Sequence, residues 1–213
     1  MKKTPLVFLC LLVVALSLIA TIPAPAAGVP ATPTEEIYLG LGEGVAGENG
    51  WVVSDYIAHV ISPADTLVNG KPVQDGQYKI TSDGRHRIEF QPGPSGQANT
   101  ITQFVYIDKT APTVTWTTEQ NVFVSGWATL DAELSDETSG LCSVEASFDH
   151  GQSWDVSNLA PMTPNGVTIH HETTWSISRS FKDFPKGAQV ILLRARDCAG
   201  NVSPGEILVI RIE

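Results

Sequence analysis

The chain is short of cysteine, of positive charge and of long apolar segments, and each shortage closes off a class of function. Only 13 lysines and arginines face 23 aspartates and glutamates in 213 residues, a formal charge of −10. The basic residues are scattered, with Arg85/Arg87 and Arg194/Arg196 paired across one position. A nucleic-acid partner requires a clustered basic stripe to neutralise phosphates, so no nucleic-acid role is expected. The acidic balance favours solubility instead, and it leaves room for divalent cations. Motifs of common hydrolases and nucleotide enzymes are missing too: there is no Gly-x-Ser-x-Gly, no His-Glu-x-x-His and no phosphate loop. Beyond residue 22 no segment is long and apolar enough to span a membrane, and none of useful length has helical periodicity.

The one sustained apolar run is at the start. Met1-Lys2-Lys3 precedes Leu6 to Ile22, which opens into Pro23-Ala24-Pro25-Ala26, the layout of a secretory signal with a small-residue cleavage site. Residues 1–26 are therefore read as a signal peptide, cut after Ala26 in preference to being kept as an anchor, with no stable membrane span afterwards. Cys10 lies inside the apolar run, which argues against a lipid anchor. Export takes away Lys2, Lys3 and Cys10, leaving 11 basic residues against 23 acidic ones and one cysteine pair, Cys142 and Cys198. A secreted, extracellular or cell-surface location makes a Cys142–Cys198 disulfide the expected state.

Residues 27–35 are rich in Pro, Ala and Thr and read as a linker. After it the apolar residues follow a period of two. Ala128, Leu130, Ala132 and Leu134 alternate with Thr129, Asp131 and Glu133, as a half-buried antiparallel strand requires. Cys142, Val144, Ala146 and Phe148 are expected to share one face, opposed by Ser143, Glu145 and Ser147. Trp175 and Ile177 mark another strand. Val190–Ala195 and Ile207–Ile212 are apolar on both parities, the mark of central strands. Upstream, Thr81-Ser82-Asp83-Gly84 stands between Gln77–Ile80 and Arg87–Phe90 and predicts a tight hairpin, since Asp-Gly favours its positive φ values. Trp51–Ile61 reads as one or two strands, Ile101–Ile107 as another, and Gly40–Gly50 as an exposed loop. Short strands set between Gly, Pro, Asn and Asp clusters predict an all-β chain in two units, residues 36–109 and 112–213.

Three strings carry a family resemblance: Tyr106-Ile107-Asp108-Lys109-Thr110-Ala111-Pro112-Thr113 at the boundary, Val144 to Trp154, and Val190 to Asn201 with its Asp197-Cys198-Ala199-Gly200-Asn201 turn. They resemble the tandem immunoglobulin-like modules of bacterial surface proteins. The resemblance implies two tandem immunoglobulin-like antiparallel β-sandwiches, the first divergent, behind the signal peptide. Pro112 lacks an N–H and holds Ala111 extended, so strand pairing stops at the boundary while the chain stays straight. The function implied is a secreted, non-catalytic element for extracellular binding, adhesion or spacing, with a protein or polysaccharide partner. A carbohydrate-binding accessory protein is the alternative, and a glycoside hydrolase or sialidase-like enzyme a third reading. In the family an Asp-Ala-Gly-Asn turn stands where this chain has Pro92 to Asn99, which weakens an ion-binding reading for the first unit.

Four sets of residues are candidates for a site. Ser147-x-Asp149-x-Gly151-x-Ser153-Trp154 matches the Asp-box familiar from sialidase propellers. Side-chain bonding within a turn accounts for each residue of it, so Ser147, Asp149, Gly151 and Trp154 are read as a structural hairpin. Strand order as in related folds would place loop 135–140 and turn 197–201 at the same end of the second unit. Asp136, Glu137, Asp197 and Asn201 then become candidate calcium ligands, against the plainer reading that Asp197 and Asn201 cap their own turn. No other cofactor is expected. His170 and His171 point to opposite faces of a strand and cannot share a metal. Five tryptophans are many for this length. Trp154 and Trp175 are expected to be packed, and Trp51, Trp116 and Trp127 form a candidate carbohydrate platform.

Overall fold

The computed structural model describes Tyr38, Leu39 and residues 42–61, 66–73, 75–91, 100–159, 162, 163, 166, 167 and 170–213. The expected signal peptide, the linker and the Pro92–Asn99 turn lie outside these residues. The described chain is all-β. It forms two mainly antiparallel β-sandwiches in tandem, each with its own core. Among the described residues no helix is long and apolar enough to cross a membrane.

The N-terminal sandwich contains β1 (Tyr38–Leu39), β2 (Tyr56–Ile61), β3 (Leu67–Val68), β4 (Lys71–Pro72), β5 (Gln77–Ile80), β6 (Gly84–Gln91) and β7 (Ile101–Ile107). One sheet has the order β1-β2-β5 and the other β4-β3-β6-β7. Alternate residues Tyr56, Ala58, Val60 and Ile80 of the first sheet meet Val68, Ile88, Phe90, Val105 and Ile107 of the second. The hairpin predicted at Asp83-Gly84 does not form. β5 pairs with β2, and β6 pairs with β7, so this turn carries the chain from one sheet to the other. A type I′ hairpin needs positive φ at both central residues, and here Gly84 alone has it, at 119°. Asp83 is held elsewhere, accepting a hydrogen bond from the Thr110 hydroxyl at 2.7 Å.

The C-terminal sandwich contains β8 (Thr113–Trp116), β9 (Val122–Val124), β10 (Trp127–Ser135), β11 (Leu141–Ser147), β12 (Asp155–Asn158), β13 (Met162–Thr163), β14 (Gly166–Val167), β15 (Glu172–Ser180), β16 (Gly187–Asp197) and β17 (Glu206–Ile212). Its sheets run β15-β10-β8 and β12-β11-β16-β17-β9, with β13 and β14 paired on their own. Every pairing is antiparallel except β17 with β9. The leading strand is thus divided, β8 serving one sheet and β9 the edge of the other. β10 buries Leu130, Ala132 and Leu134 as its alternation predicts, and β16 and β17 are interior strands. Burial of these side chains, at roughly 1.5–3 kcal/mol each for Leu, Ile and Val, is the main force holding the two sheets together.

Strand β11 departs from its predicted pattern. Its pairing with β16 slips by one residue between Leu141 and Ser143, so that Leu141 faces Asp197 and Ser143 faces Arg196. The bulge gives Leu141 the core position expected for Cys142. Cys142 is turned toward Cys198, and the two form the disulfide with a Cα–Cα distance of 4.9 Å. Strict alternation places Cys198 on the face opposite Ile191, Leu193 and Ala195, and the bulge is what brings Cys142 to it. Ser143, Glu145 and Ser147, expected to face solvent, are buried. Glu145 lies beneath Arg194 and Arg196, and Ser147 is drawn into the turn that follows.

The bond closes a loop of 56 residues in sequence separation, which in the chain-entropy model stabilises by about 4 kcal/mol. Oxidised protein beginning at Ala27, without Cys10, is expected to show no free thiol on titration without reductant. Cys142→Ser is expected to lower unfolding stability by about 2–5 kcal/mol, read from the denaturant midpoint.

Candidate functional site

Three chain segments end at the boundary between the sandwiches, and each ends on an aspartate. Asp108 follows β7, Asp136 follows β10, and Asp197 closes β16. All three are buried, and one carboxylate oxygen from each lies within 4.8 Å of the others. Local turn chemistry fixes their positions. Asp136 Oδ1 accepts the backbone N–H groups of Thr138 at 3.2 Å and Gly140 at 2.6 Å, closing loop 135–140 on itself. Asp197 accepts the Asn201 N–H and the Asn201 side-chain amide, both at 2.8 Å. Asp108 caps its own segment through Thr110 N–H, while its other oxygen takes Ser139 N–H of the second sandwich at 2.9 Å.

The same loops lock the two sandwiches together. Glu48 N–H donates to Ala199 O at 2.7 Å, and the Asn49 amide donates to Cys198 O at 2.9 Å. Asn201 Nδ2 donates to Asp108 O at 3.1 Å, and Arg196 pairs with Glu48 at 3.3 Å. Residues 47–50, in the stretch expected to be an exposed loop, are exposed apart from half-buried Gly47, and they also rest on turn 197–201. The approach is close enough to demand glycine at 47, where a Cβ would stand 2.4 Å from Ala199 O. The disulfide holds loop 135–140 and turn 197–201 to each other, and Cys198 N–H also donates to Gly140 O. Pro112, in the expected joint, is buried.

The electrostatics of the cluster are unusual. Among the described residues no Lys, Arg or His side chain forms an ion pair with any of the three carboxylates. Burial pushes the Asp197 carboxyl up to about 6, against the Asn201 hydrogen bonds, and the charges of Asp108 and Asp136 add to the rise. Burial also raises Asp136, against the Gly140 N–H, with Asp108 adding to it. An all-oxygen set of three carboxylates fits a hard divalent cation, whose charge would replace mutual repulsion with attraction.

Relative to the sequence expectation, Asp136, Asp197 and Asn201 do come together. Glu137 does not: it is exposed and its carboxylate is not among the converging oxygens. Asp108 takes its place. The signal for it was the acidic residue opening Asp108-Lys109-Thr110-Ala111-Pro112, because the boundary strand lies between the loops of both sandwiches. His170 is exposed, and the His171 ring meets Asp136 O through Nδ1 at 2.9 Å.

The Asp-box forms the β11–β12 hairpin. Asp149 accepts hydrogen bonds from Ser147 Oγ, Ser153 N–H and Ser153 Oγ, and Ser147 Oγ accepts Gly151 N–H at 2.8 Å. His150 and Gly151 both take positive φ, at 61° and 85°. Trp154 supports the Arg194 guanidinium 3.9 Å above its ring. These hydrogen bonds, led by those from Ser153, hold the Asp149 carboxyl down at about 2.

The three tryptophans of the candidate platform are separated. Trp127 is 68% exposed at the start of β10. Trp116 is paired with Ala132 of the same strand, five residues or roughly 17 Å away. It packs edge-on against buried Trp175 at 6.2 Å. Trp51 belongs to the other sandwich, beside Tyr106.

No protein-family model matches the chain, and no curated protein matches it. Among solved structures it is similar to fibronectin(III)-like modules of CbhA from Clostridium thermocellum, with 18% identity over 84% of this chain and 94% of that one and a TM-score of 0.38. It is also similar to the SrpA adhesin from Streptococcus sanguinis, with 20% identity over 50% of this chain and 58% of that one and a TM-score of 0.36. A chimeric titin Z1Z2-Z1Z2 tandem matches with 12% identity over 83% of this chain and 98% of that one, at a TM-score of 0.28.

Asp149→Ala is expected to lower the melting temperature by a few degrees, because the Ser153 N–H and the Ser147 and Ser153 hydroxyls lose their acceptor. The stabilisation from Asp149 is present above pH 4 and is lost as pH falls toward 2. Asp197 has the opposite sign. Its folded carboxyl titrates above its unfolded one, so its contribution is complete below about pH 4 and is lost as pH rises through about 6. In chelator, the melting temperature is expected to fall between pH 5 and pH 7, measured by thermal scans. A flat profile would remove the case for an uncompensated buried charge.

Proposed function

We propose that this chain is a secreted, non-catalytic extracellular element whose two modules, residues 36–109 and 112–213, are held at a fixed angle to present a binding surface at a set distance. The observation that carries this reading is the convergence of Asp108, Asp136 and Asp197 at the boundary. An enzyme directs its carboxylates into a cleft where substrate can reach them. Here they are buried against the next module, where they can bind only something the size of an ion.

A calcium ion in this position would be held by Asp108 of one module and by Asp136 and Asp197 of the other, with Asn201 positioning Asp197. Its chemistry would be electrostatic: it would neutralise three carboxylates and convert the hydrogen-bonded joint into a rigid one. Tandem modules joined without such a contact move relative to each other by default. The disulfide, the buried Pro112 and the Gly47 contact serve the same end by fixing the loops that carry the ligands.

Calcium at millimolar concentration is expected to raise the melting temperature at pH 7.5 by at least about 5 °C relative to chelator, the size of effect that ligand binding well above its dissociation constant produces in domains of this length. Asp108→Asn is expected to remove most of that rise. Equal melting temperatures in calcium and chelator would overturn the cation reading of the joint.

A further inference from the structure

The solvent side of the β4-β3-β6-β7 sheet carries a surface that the joint does not use. Ile88, Phe90, Val105 and Ile107 point into the core, so Arg85, Arg87, Phe104 and Tyr106 share the opposite face. Pairing of β6 with β7 sets Arg85 across from Tyr106 and Arg87 across from Phe104. The two rings are 45% and 38% exposed on a strand with a sheet neighbour on one side only over most of its length. The Arg85 guanidinium lies 4.3 Å from the Phe104 centroid and 5.9 Å from that of Tyr106. Trp51 continues the row, edge-on to Tyr106 at 5.6 Å.

The two arginines differ in one respect. Arg87 is neutralised by Glu89 at 2.5 Å. Among the described residues Arg85 has neither a hydrogen bond nor an ion pair, and only the aromatic rings hold it. A guanidinium fixed by ring stacking keeps its fork of N–H donors free for bidentate contact with a carboxylate. Tyr106 and Trp51 beside it offer an apolar surface. The arrangement matches a ligand unit with one carboxylate and one apolar face, which is the chemistry of a uronic acid ring. The chain as a whole is acidic, but at physiological salt charges more than about 8 Å away are largely screened, so the local sign governs contact.

We propose that this face binds an acidic polysaccharide built of uronate sugars, with Arg85 taking the carboxylate, Tyr106 lying against the ring and Trp51, set edge-on to Tyr106, flanking it. The inference deepens the reading of the chain as a binding element, and it is independent of the aspartate joint.

The test is calorimetric titration of the oxidised chain with oligogalacturonate in chelator, beside the methyl-esterified oligomer and polyglutamate. Saturable binding to oligogalacturonate is expected, at least about tenfold weaker for the ester and for Arg85→Gln, and little changed for Arg87→Gln. Tyr106→Ala is expected to weaken binding without altering the preference for the free acid. Equal binding of acid and ester would overturn the proposal in favour of a neutral-sugar platform. Binding of polyglutamate alone would overturn it in favour of an acidic protein partner, and no binding, or an unaffected Arg85→Gln variant, would overturn it outright. Arg85 is exposed, so the variant is expected to melt with the parent. The calcium-dependent rise in melting temperature is read on the same protein preparations with calcium in place of chelator, so loss of glycan binding with that rise intact strikes this face and leaves the joint standing.

Discussion

Repulsion among three buried carboxylates is the constraint around which the boundary is arranged. Two ionised groups about 5 Å apart repel by roughly 3 kcal/mol at an effective dielectric near 20, and three such pairs arise here. Nothing in the hydrophobic cores demands this placement, because each sandwich closes its own interior. The cost is tolerated through backbone N–H groups aimed at the oxygens and through loops that cannot retreat. Turn 197–201 is fastened to loop 135–140 by the disulfide, and to the first sandwich by Glu48 and Asn49.

Closed by a cation, as proposed, such a cluster would be a better hinge lock than an apolar contact. An apolar interface between modules stabilises in proportion to area and tolerates sliding, since it has no direction. Carboxylates on a hard cation must stay within coordination distance, so a rotation that draws one module's ligand away would break the contact. A tandem array that must keep its binding faces at a set spacing benefits from a contact of this kind. The further surface on β6 and β7 lies in the first sandwich, and a fixed joint would set its orientation relative to the second.

The bulge in β11 shows how one residue of slippage links packing to covalent structure. Without it, Cys142 would enter the core beside Val144 and Ala146, on the side of β11 away from Cys198. With it, Leu141 fills the core and the cysteine is released to the disulfide. The same strand then leads into the Asp-box turn, where Ser147 and Asp149 supply acceptors that the backbone needs. Stability at the two ends of β11 thus has different sources, a covalent loop closure at one and polar turn bonding at the other.

The sequence alone determined the all-β class, the two units, the inward faces of β10 and β15, the interior position of β16 and β17 and the Asp-box turn. Each follows from a period of two or from turn chemistry confined to a few neighbouring residues, as with Leu130, Ala132 and Leu134. It also singled out Asp136, Asp197 and Asn201, because short acidic turns at strand ends are visible locally. Only the tertiary structure decided that Asp83-Gly84 crosses between sheets, that Cys142 leaves the core, that Asp108 and not Glu137 completes the aspartate cluster, and that Trp51 joins Tyr106 rather than Trp116 or Trp127. These depend on which strand pairs with which and on how one sandwich rests on the other. Such long-range pairings are set by burial summed over both sheets, a quantity that no single stretch of sequence contains.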